Sequence, residues 1–516
     1  MTTRSTLRQL LADGVGDAVA ITAPSAPGLT YDALRSQIAE TVTALNRVGI
    51  GRNDRVAIVL PNGPEMAAAF LAVASAAASA PLNPGYRTEE FEFYLSDLGA
   101  KALIVDQGST SPAIDVARKL GVAVFTLRPL PEKGAGRFAL DTGGAAVAAP
   151  ALSGQTEADD VALVLHTSGT TSRPKIVPLS QRNICASARN ICRTVSFTPA
   201  DRGLNIMPLF HIHGLIAAVL APLSAGGSVF CTPGFHALKF FAWMAEARPT
   251  WYTAVPTMHQ AILTRAGHNV AVIKANPLRF IRSSSSSLPP QVIAELEATF
   301  GAPVIEAYGM TEAAHQMACN PLPPAVRKPG TVGQAAGPEV AIMDSQGNLL
   351  PAGTVGEIVI RGENVTAGYE NNPKANAEAF TNGWFRTGDQ GMKDADDYIS
   401  ITGRLKEIIN RGGEKISPRE VDEVLMDHPA VQQVVTFGIP HEKLGEEVGA
   451  AVVLRDGMTV TERELRDFVA RHLADFKVPR KVLFMAEIPK GATGKLQRIG
   501  LAQKLGLGAA AAGAGH

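Results

Sequence analysis

The residues most able to do chemistry lie in a run from His166 to Lys175, reading His-Thr-Ser-Gly-Thr-Thr-Ser-Arg-Pro-Lys. Hydroxyl side chains and a glycine are packed into a short loop that follows the apolar run Val161–Leu165. Such a loop can wrap a polyphosphate with O–H and N–H donors, and Lys175 adds a point charge. The spacing is not the Walker pattern GxxxxGK[ST], and no GxGxxG follows a strand, so P-loop and dinucleotide chemistry are disfavoured.

Five further clusters follow in order: Tyr308-Gly-Met-Thr-Glu312, Gly383-Trp-Phe-Arg-Thr-Gly-Asp389, Gly403-Arg404-Leu-Lys406-Glu407, Arg411-Gly412-Gly413-Glu-Lys415 and Pro489-Lys-Gly-Ala-Thr-Gly-Lys495. Together the six resemble the signature motifs of the adenylate-forming superfamily, which includes acyl-CoA synthetases, luciferases and peptide-synthetase adenylation domains.

The resemblance implies attack of a carboxylate on the α-phosphorus of ATP, release of pyrophosphate, and transfer of the acyl group to coenzyme A. The nucleophile is already anionic, so cations and donors rather than a general base should dominate the site. By resemblance, Thr167, Ser168, Gly169, Thr170, Thr171 and Lys175 hold the β- and γ-phosphates. Thr311 touches the α-phosphate, Glu312 helps hold Mg²⁺, and Tyr308 stacks on adenine in the Glu306-Ala307-Tyr308 segment. Asp389 accepts from the ribose hydroxyls, Arg404 sits near ribose and phosphate, and Lys495 bridges the α-phosphate and the substrate carboxylate. Gly412 and Gly413 leave room for the CoA thiol once a small domain has rotated about a hinge at Lys406. Ile176 and the pair Ser172-Arg173 depart from the family's glycine-bearing pattern.

The acid pocket is read from four residues. His211 and His213 lie in Pro208-Leu-Phe-His-Ile-His-Gly214, His315 follows Glu312 by three, and Ser285 lies in Arg282-Ser-Ser-Ser-Ser-Ser287. Unpaired imidazoles and hydroxyls in a fatty-acyl tunnel would each cost ~1–3 kcal/mol. The same groups facing a second carboxylate would each contribute about 1.5–3 kcal/mol. A short dicarboxylate is therefore expected. PLFHIHGL, RSSSSSL and EAYGMTEAAH resemble the oxalate–CoA ligase branch, which assigns Ser285, His213 and His315 to the distal carboxylate with His211 nearby. The competing expectations are a medium-chain, aryl or malonate CoA ligase, or an enzyme loading a carrier protein.

These residues need a large scaffold. At 516 residues the chain is too long for one core. Apolar runs at Arg55–Leu60, Ala102–Asp106, Val161–His166, Trp251–Val255, Leu278–Arg282 and Pro303–Glu306 alternate with helical patterns such as Pro290–Phe300. The fold expected is α/β: a large, multi-layered N-terminal domain of mixed sheets and helices over residues 1–403, then a small mobile α+β domain over 404–516. Capping boxes at Ser417/Glu420 and Thr461/Glu464 should open helices in the latter.

Forty-eight basic and 48 acidic residues leave no net charge, which argues against a nucleic-acid partner. No secretory leader is evident, and the longest apolar run, Met66–Pro81, reads as a core helix too short to span a membrane. Cys185, Cys192, Cys231 and Cys319 show no metal-ligand spacing. A cytoplasmic monomer or homodimer is expected.

Overall fold

A computed structural model describes residues 4–167, 174–490 and 496–507. Among them, four sheets organise the chain. The first has seven strands, in the order 138–141, 123–129, 102–106, 55–59, 78–81, 161–166 and 176–180. Its interior pairs are parallel and its two edge pairs antiparallel. Such parallel strands are buried on both faces and read as continuous apolar runs. Val56, Ala57, Ile58 and Leu103 are accordingly fully buried.

The second sheet, of nine strands, carries most of the candidate site. Its central strands include Ser228–Cys231, Arg202–Asn205, Trp251–Ala254, Phe280–Ser284 and Val304–Met310, each parallel to the next. His315–Cys319 then returns antiparallel to Val304–Met310. Parallel sheets place ligands in the crevice beyond the carboxyl ends of their strands. Here that end holds the serine run, Tyr308 and Gly309.

A third sheet, antiparallel, comprises 339–343, 356–361, 384–393, 380–381 and 399–404. The fourth comprises 409–411, 414–416, 431–441, 445–454 and 481–484. It has its own core, in which Val421, Leu425, Leu465 and Val469 of two amphipathic helices pack on Val434, Val448 and Val452.

Several sequence expectations are met closely. Ala102–Asp106, Val161–His166 and Pro290–Phe300 have the expected bounds. Thr461 and Glu464 form the expected reciprocal capping box. Others need correction. Met66–Pro81 is not one helix: the helix ends at Ala74, and Ala78–Pro81 is a parallel strand. Alanine's high helix propensity masks the change, and pairing with Arg55–Ile58 overrides it. Ser417 caps by position only. Its hydroxyl donates to Thr402 O, while Glu420 pairs with Lys477 at 2.6 Å, so no capping box forms. The strand expected at Leu278–Arg282 runs from Phe280 to Ser284, because Ser283 and Ser284 pair with Glu306 and Ala307.

Candidate active site

The phosphate-loop candidates sit where two antiparallel strands turn. Val161–His166 pairs with Ile176–Ser180, and the loop base is closed by Thr167 N donating to Lys175 O at 2.9 Å. Lys175 N in turn donates to Thr167 Oγ1 at 3.1 Å. Ser168, Gly169, Thr170 and Thr171 lie outside the described residues, as do Ser172 and Arg173. The Lys175 ammonium lies 4.3 Å from the centre of the Tyr369 ring. The Tyr369 hydroxyl donates to Glu312 Oε1 at 2.8 Å. One tyrosine thus links the loop lysine to the carboxylate expected at the metal. Burial raises the Glu312 carboxyl above its ordinary range, opposed by the Tyr369 hydrogen bond and by Arg404 and Lys175.

Thr311 opens a short turn, Thr311–Ala313, between Val304–Met310 and His315–Cys319. Ala314 and His315 have φ of 47° and 101°, so this reversal is tight and left-handed.

A cleft of about 360 Å³ lies above the strand ends, lined by Ser285, Glu306, Tyr308, Asp389, Arg404 and Arg419, among others. Ala307 also borders it and accepts at its carbonyl from Ser284 Oγ at 2.8 Å. Asp389 and Arg404 are strand partners in register, and Arg404 Nε donates to Asp389 Oδ1 at 2.8 Å. The Tyr308 hydroxyl donates to the other carboxylate oxygen, Oδ2. Glu306 accepts from Gly330 N–H at 3.1 Å, yet burial pushes its carboxyl up to about 8.

Three of the four acid-pocket candidates come together. His213 Nδ1 lies 3.1 Å from Ser285 Oγ, and its Nε2 lies 2.7 Å from Thr253 Oγ1. The His213 and His315 rings stack at 4.9 Å between centroids, inclined by 18°. Both histidines are buried. Ser285 has a φ of 75°, which aims the chain back from the strand end into the cleft wall. His213 opens a wide-turned π-helix, a form common at functional sites. Gly214 allows that entry, since a Cβ there would meet Pro208 O at 2.3 Å. His211 flanks the group, accepting at Nδ1 from His213 N at 3.3 Å.

Gly412 and Gly413 form the two-residue turn of a hairpin, with φ of 60° and 99°. Both angles are positive, as a tight primed turn requires. Lys406 is exposed in the turn joining the third and fourth sheets. Lys495 lies outside the described residues, but Lys490 and Leu496 on either side of its segment pair antiparallel.

Comparison with known proteins decides the family. Residues 11–370 match the model described as AMP-binding enzyme, and residues 420–495 match the AMP-binding enzyme C-terminal domain. The chain belongs to the AMP-binding, adenylate-forming enzyme family. It is 45% identical to the oxalate–CoA ligase of Arabidopsis thaliana, covering 97% of this chain and 98% of that one. It is 46% identical to the oxalate–CoA ligase of Saccharomyces cerevisiae, covering 87% and 86%. ATP-bound MatB from Rhodopseudomonas palustris superposes with a TM-score of 0.86 at 31% identity, covering 96% and 97%. Among the described residues no helix is long and apolar enough to cross a membrane.

Four residues of this site carried no assigned role in the motifs. Tyr369 and Thr253 have no local signal; only the fold brings them to Glu312 and His213. Arg498, which also borders the cleft, is visible merely as a basic residue late in the sequence. Arg282, which lies against His315, is visible in the sequence only as the second arginine, after Arg279, of the run Leu278–Arg282.

Proposed function

We propose that this AMP-binding enzyme is an ATP-dependent oxalate–CoA ligase. One carboxylate oxygen of oxalate attacks the α-phosphorus of ATP. The bond to the pyrophosphate oxygen breaks, giving oxalyl-adenylate and pyrophosphate. The CoA thiol then attacks the oxalyl carbonyl, and AMP leaves with the electron pair of the acyl–oxygen bond. The observation that carries the choice of acid is the buried Ser285–His213–His315 group, of which Ser285 borders the cleft. Two stacked imidazoles and a hydroxyl suit a second, unreacting carboxylate and would penalise an alkyl chain. The similarity to two oxalate–CoA ligases supports the same reading.

In this reading Thr167, Ser168, Gly169, Thr170, Thr171 and Lys175 hold the polyphosphate, with Thr311 at the α-phosphate. Tyr308 borders adenine, with Glu306 and Ala307 on the same wall, and Asp389 takes the ribose hydroxyls with Arg404 beside it. Lys495 neutralises the two reacting anions. Glu312 fits a hard divalent cation, because its buried carboxylate is fixed by Tyr369 at one oxygen. Among the described residues no cluster of three or more metal-ligating side chains exists, so Mg²⁺ would take its remaining ligands from phosphate and water, as that ion commonly does. Magnesium would supply charge neutralisation on the phosphates. The rotating unit is residues 404–516, turning near Lys406, and it brings Gly412 and Gly413 to the thiol's path.

The test is pyrophosphate release by purified protein with ATP, Mg²⁺, CoA and a panel of oxalate, malonate, octanoate and coumarate. Oxalate should give the highest kcat/KM by at least tenfold. A better rate with any of the other three overturns the choice of acid. No release with any of them, or with a wider panel, overturns the ligase reading itself.

A further inference from the structure

Behind the histidine pair lies a charge the mechanism has not used. Arg282 is 1% exposed, on the strand Phe280–Ser284 in register with Thr253. Its Nη1 lies 3.1 Å from His315 Nε2, and its Nη2 donates to Gln316 Oε1 at 3.1 Å. Its Nε is buried without a hydrogen-bond partner. Among the described residues no carboxylate forms an ion pair with it. Burying an unpaired cation is costly, and such groups mark function more often than stability.

Guanidinium can only donate, so His315 Nε2 must accept. That fixes His315 as a neutral imidazole whose proton is on Nδ1. The contacts then run inward without a break. Ser285 borders the cleft, its hydroxyl meets His213, His213 stacks on His315, and His315 accepts from Arg282. In a dry, low-dielectric wall, the field of that cation extends along the chain to the cleft.

We propose that Arg282 is a positioning and specificity-determining residue: it holds His315 in one tautomer and supplies, through the His315–His213–Ser285 chain, the positive potential that favours a dianionic acid over a monoanion of the same shape. This rests on the oxalate reading, and it adds the residue that makes charge, rather than size, the discriminator.

The wild-type enzyme gives the first test, which needs no variant. Oxamate has the shape of oxalate but one negative charge fewer. As competitive inhibitor against oxalate, it should bind at least tenfold more weakly than oxalate's own KM. Binding as tight as oxalate overturns the proposal while leaving oxalate as the substrate. The second test is Arg282→Met against Arg282→Lys. The methionine variant should raise the KM for oxalate tenfold to a hundredfold with the KM for ATP within twofold, and should lose the preference for oxalate over oxamate. The lysine variant should recover most of that preference. A uniform fall in kcat with both KM values and the preference unchanged would make Arg282 merely structural. A wild-type enzyme that does not use oxalate at all would instead sink the reading on which this rests.

Discussion

Arg498 Nη1 donates to Glu407 Oε2 at 2.7 Å, so one guanidinium ties the chain just after Lys495 to the turn just after the third sheet. The same side chain ion-pairs with Asp422 and donates from Nε to Thr436 O at 2.6 Å. Asp422 is pushed up to about 6 by burial, against the opposing pull of Arg498. Arg498→Met leaves two largely buried carboxylates unpaired, which costs roughly 3–5 kcal/mol where burial is complete. We expect a melting temperature several degrees lower. Because Arg498 is three residues from Lys495, ATP–pyrophosphate exchange should also fall at least tenfold. Unchanged exchange in a folded variant would show that this anchor has no bearing on adenylation.

Asp389 is held from two sides, by Tyr308 at Oδ2 and by Arg404 at Oδ1. Arg404 is 54% exposed at its side chain, so the pair itself should add little stability. Asp389→Asn keeps the shape and removes the charge. The KM for ATP should rise about tenfold or more, since charged hydrogen bonds contribute ~1.5–3 kcal/mol. The KM for oxalate and the melting temperature should barely move, as initial rates and a thermal scan would reveal.

His315 stacks on His213, whose Nδ1 meets the Ser285 hydroxyl. His315→Ala should therefore raise the KM for oxalate about tenfold or more, the value of one strong hydrogen bond, with a much smaller effect on ATP. Equal effects on both substrates would remove His315 from the acid pocket.

Much of this site is legible along the chain because the family motifs occupy strand ends and turns, where local sequence fixes local structure. Glycines at 412 and 413 permit a primed turn, and Pro290 suits the first position of the helix that it opens. Burial of Ser283 and Ser284 within a strand is not legible, since serine has no strand preference of its own. Pairing with Glu306 and Ala307 imposes it. The stacking of His213 on His315 is likewise long-range, joining residues 102 positions apart in sequence. Tyr369 reaches Glu312 for the same reason, across 57 positions. A motif names the residue, but only the sheet order says which side chain meets it.

Glu306 offers a test by pH. Its carboxyl is raised from 4.5 to about 8, chiefly by burial. A raised carboxyl means that the folded protein binds the proton more tightly than the unfolded chain. Its stabilising contribution is complete below about 4.5 and is lost as pH rises through about 8. Glu306→Gln keeps an acceptor for Gly330 N–H and cannot ionise. The difference in melting temperature, wild type minus variant, should fall steadily between pH 5 and 8 and then level off. A flat difference across that range would mean that Glu306 is ionised throughout.

Gly309 joins the two halves of the site. It follows Tyr308 at a register shift between Val304–Met310 and His315–Cys319. A Cβ there would lie 2.0 Å from His315 O and 3.0 Å from His315 Nδ1. The first of these is backbone, which cannot swing aside, so the strands must part. Gly309→Ala should cost about 1–3 kcal/mol by overpacking and raise the KM for both oxalate and ATP, because His315 and Tyr308 move together. Gly356→Ala is the control. Its Cβ meets Met343 O at 2.7 Å within the third sheet, remote in sequence from both residues. Gly356→Ala should lower the melting temperature without changing either KM. If the two variants lose stability alike and neither changes a KM, the close approach at Gly309 serves packing alone. A shift confined to Gly309→Ala would show that the spacing between Tyr308 and His315 is set at that one missing methyl group.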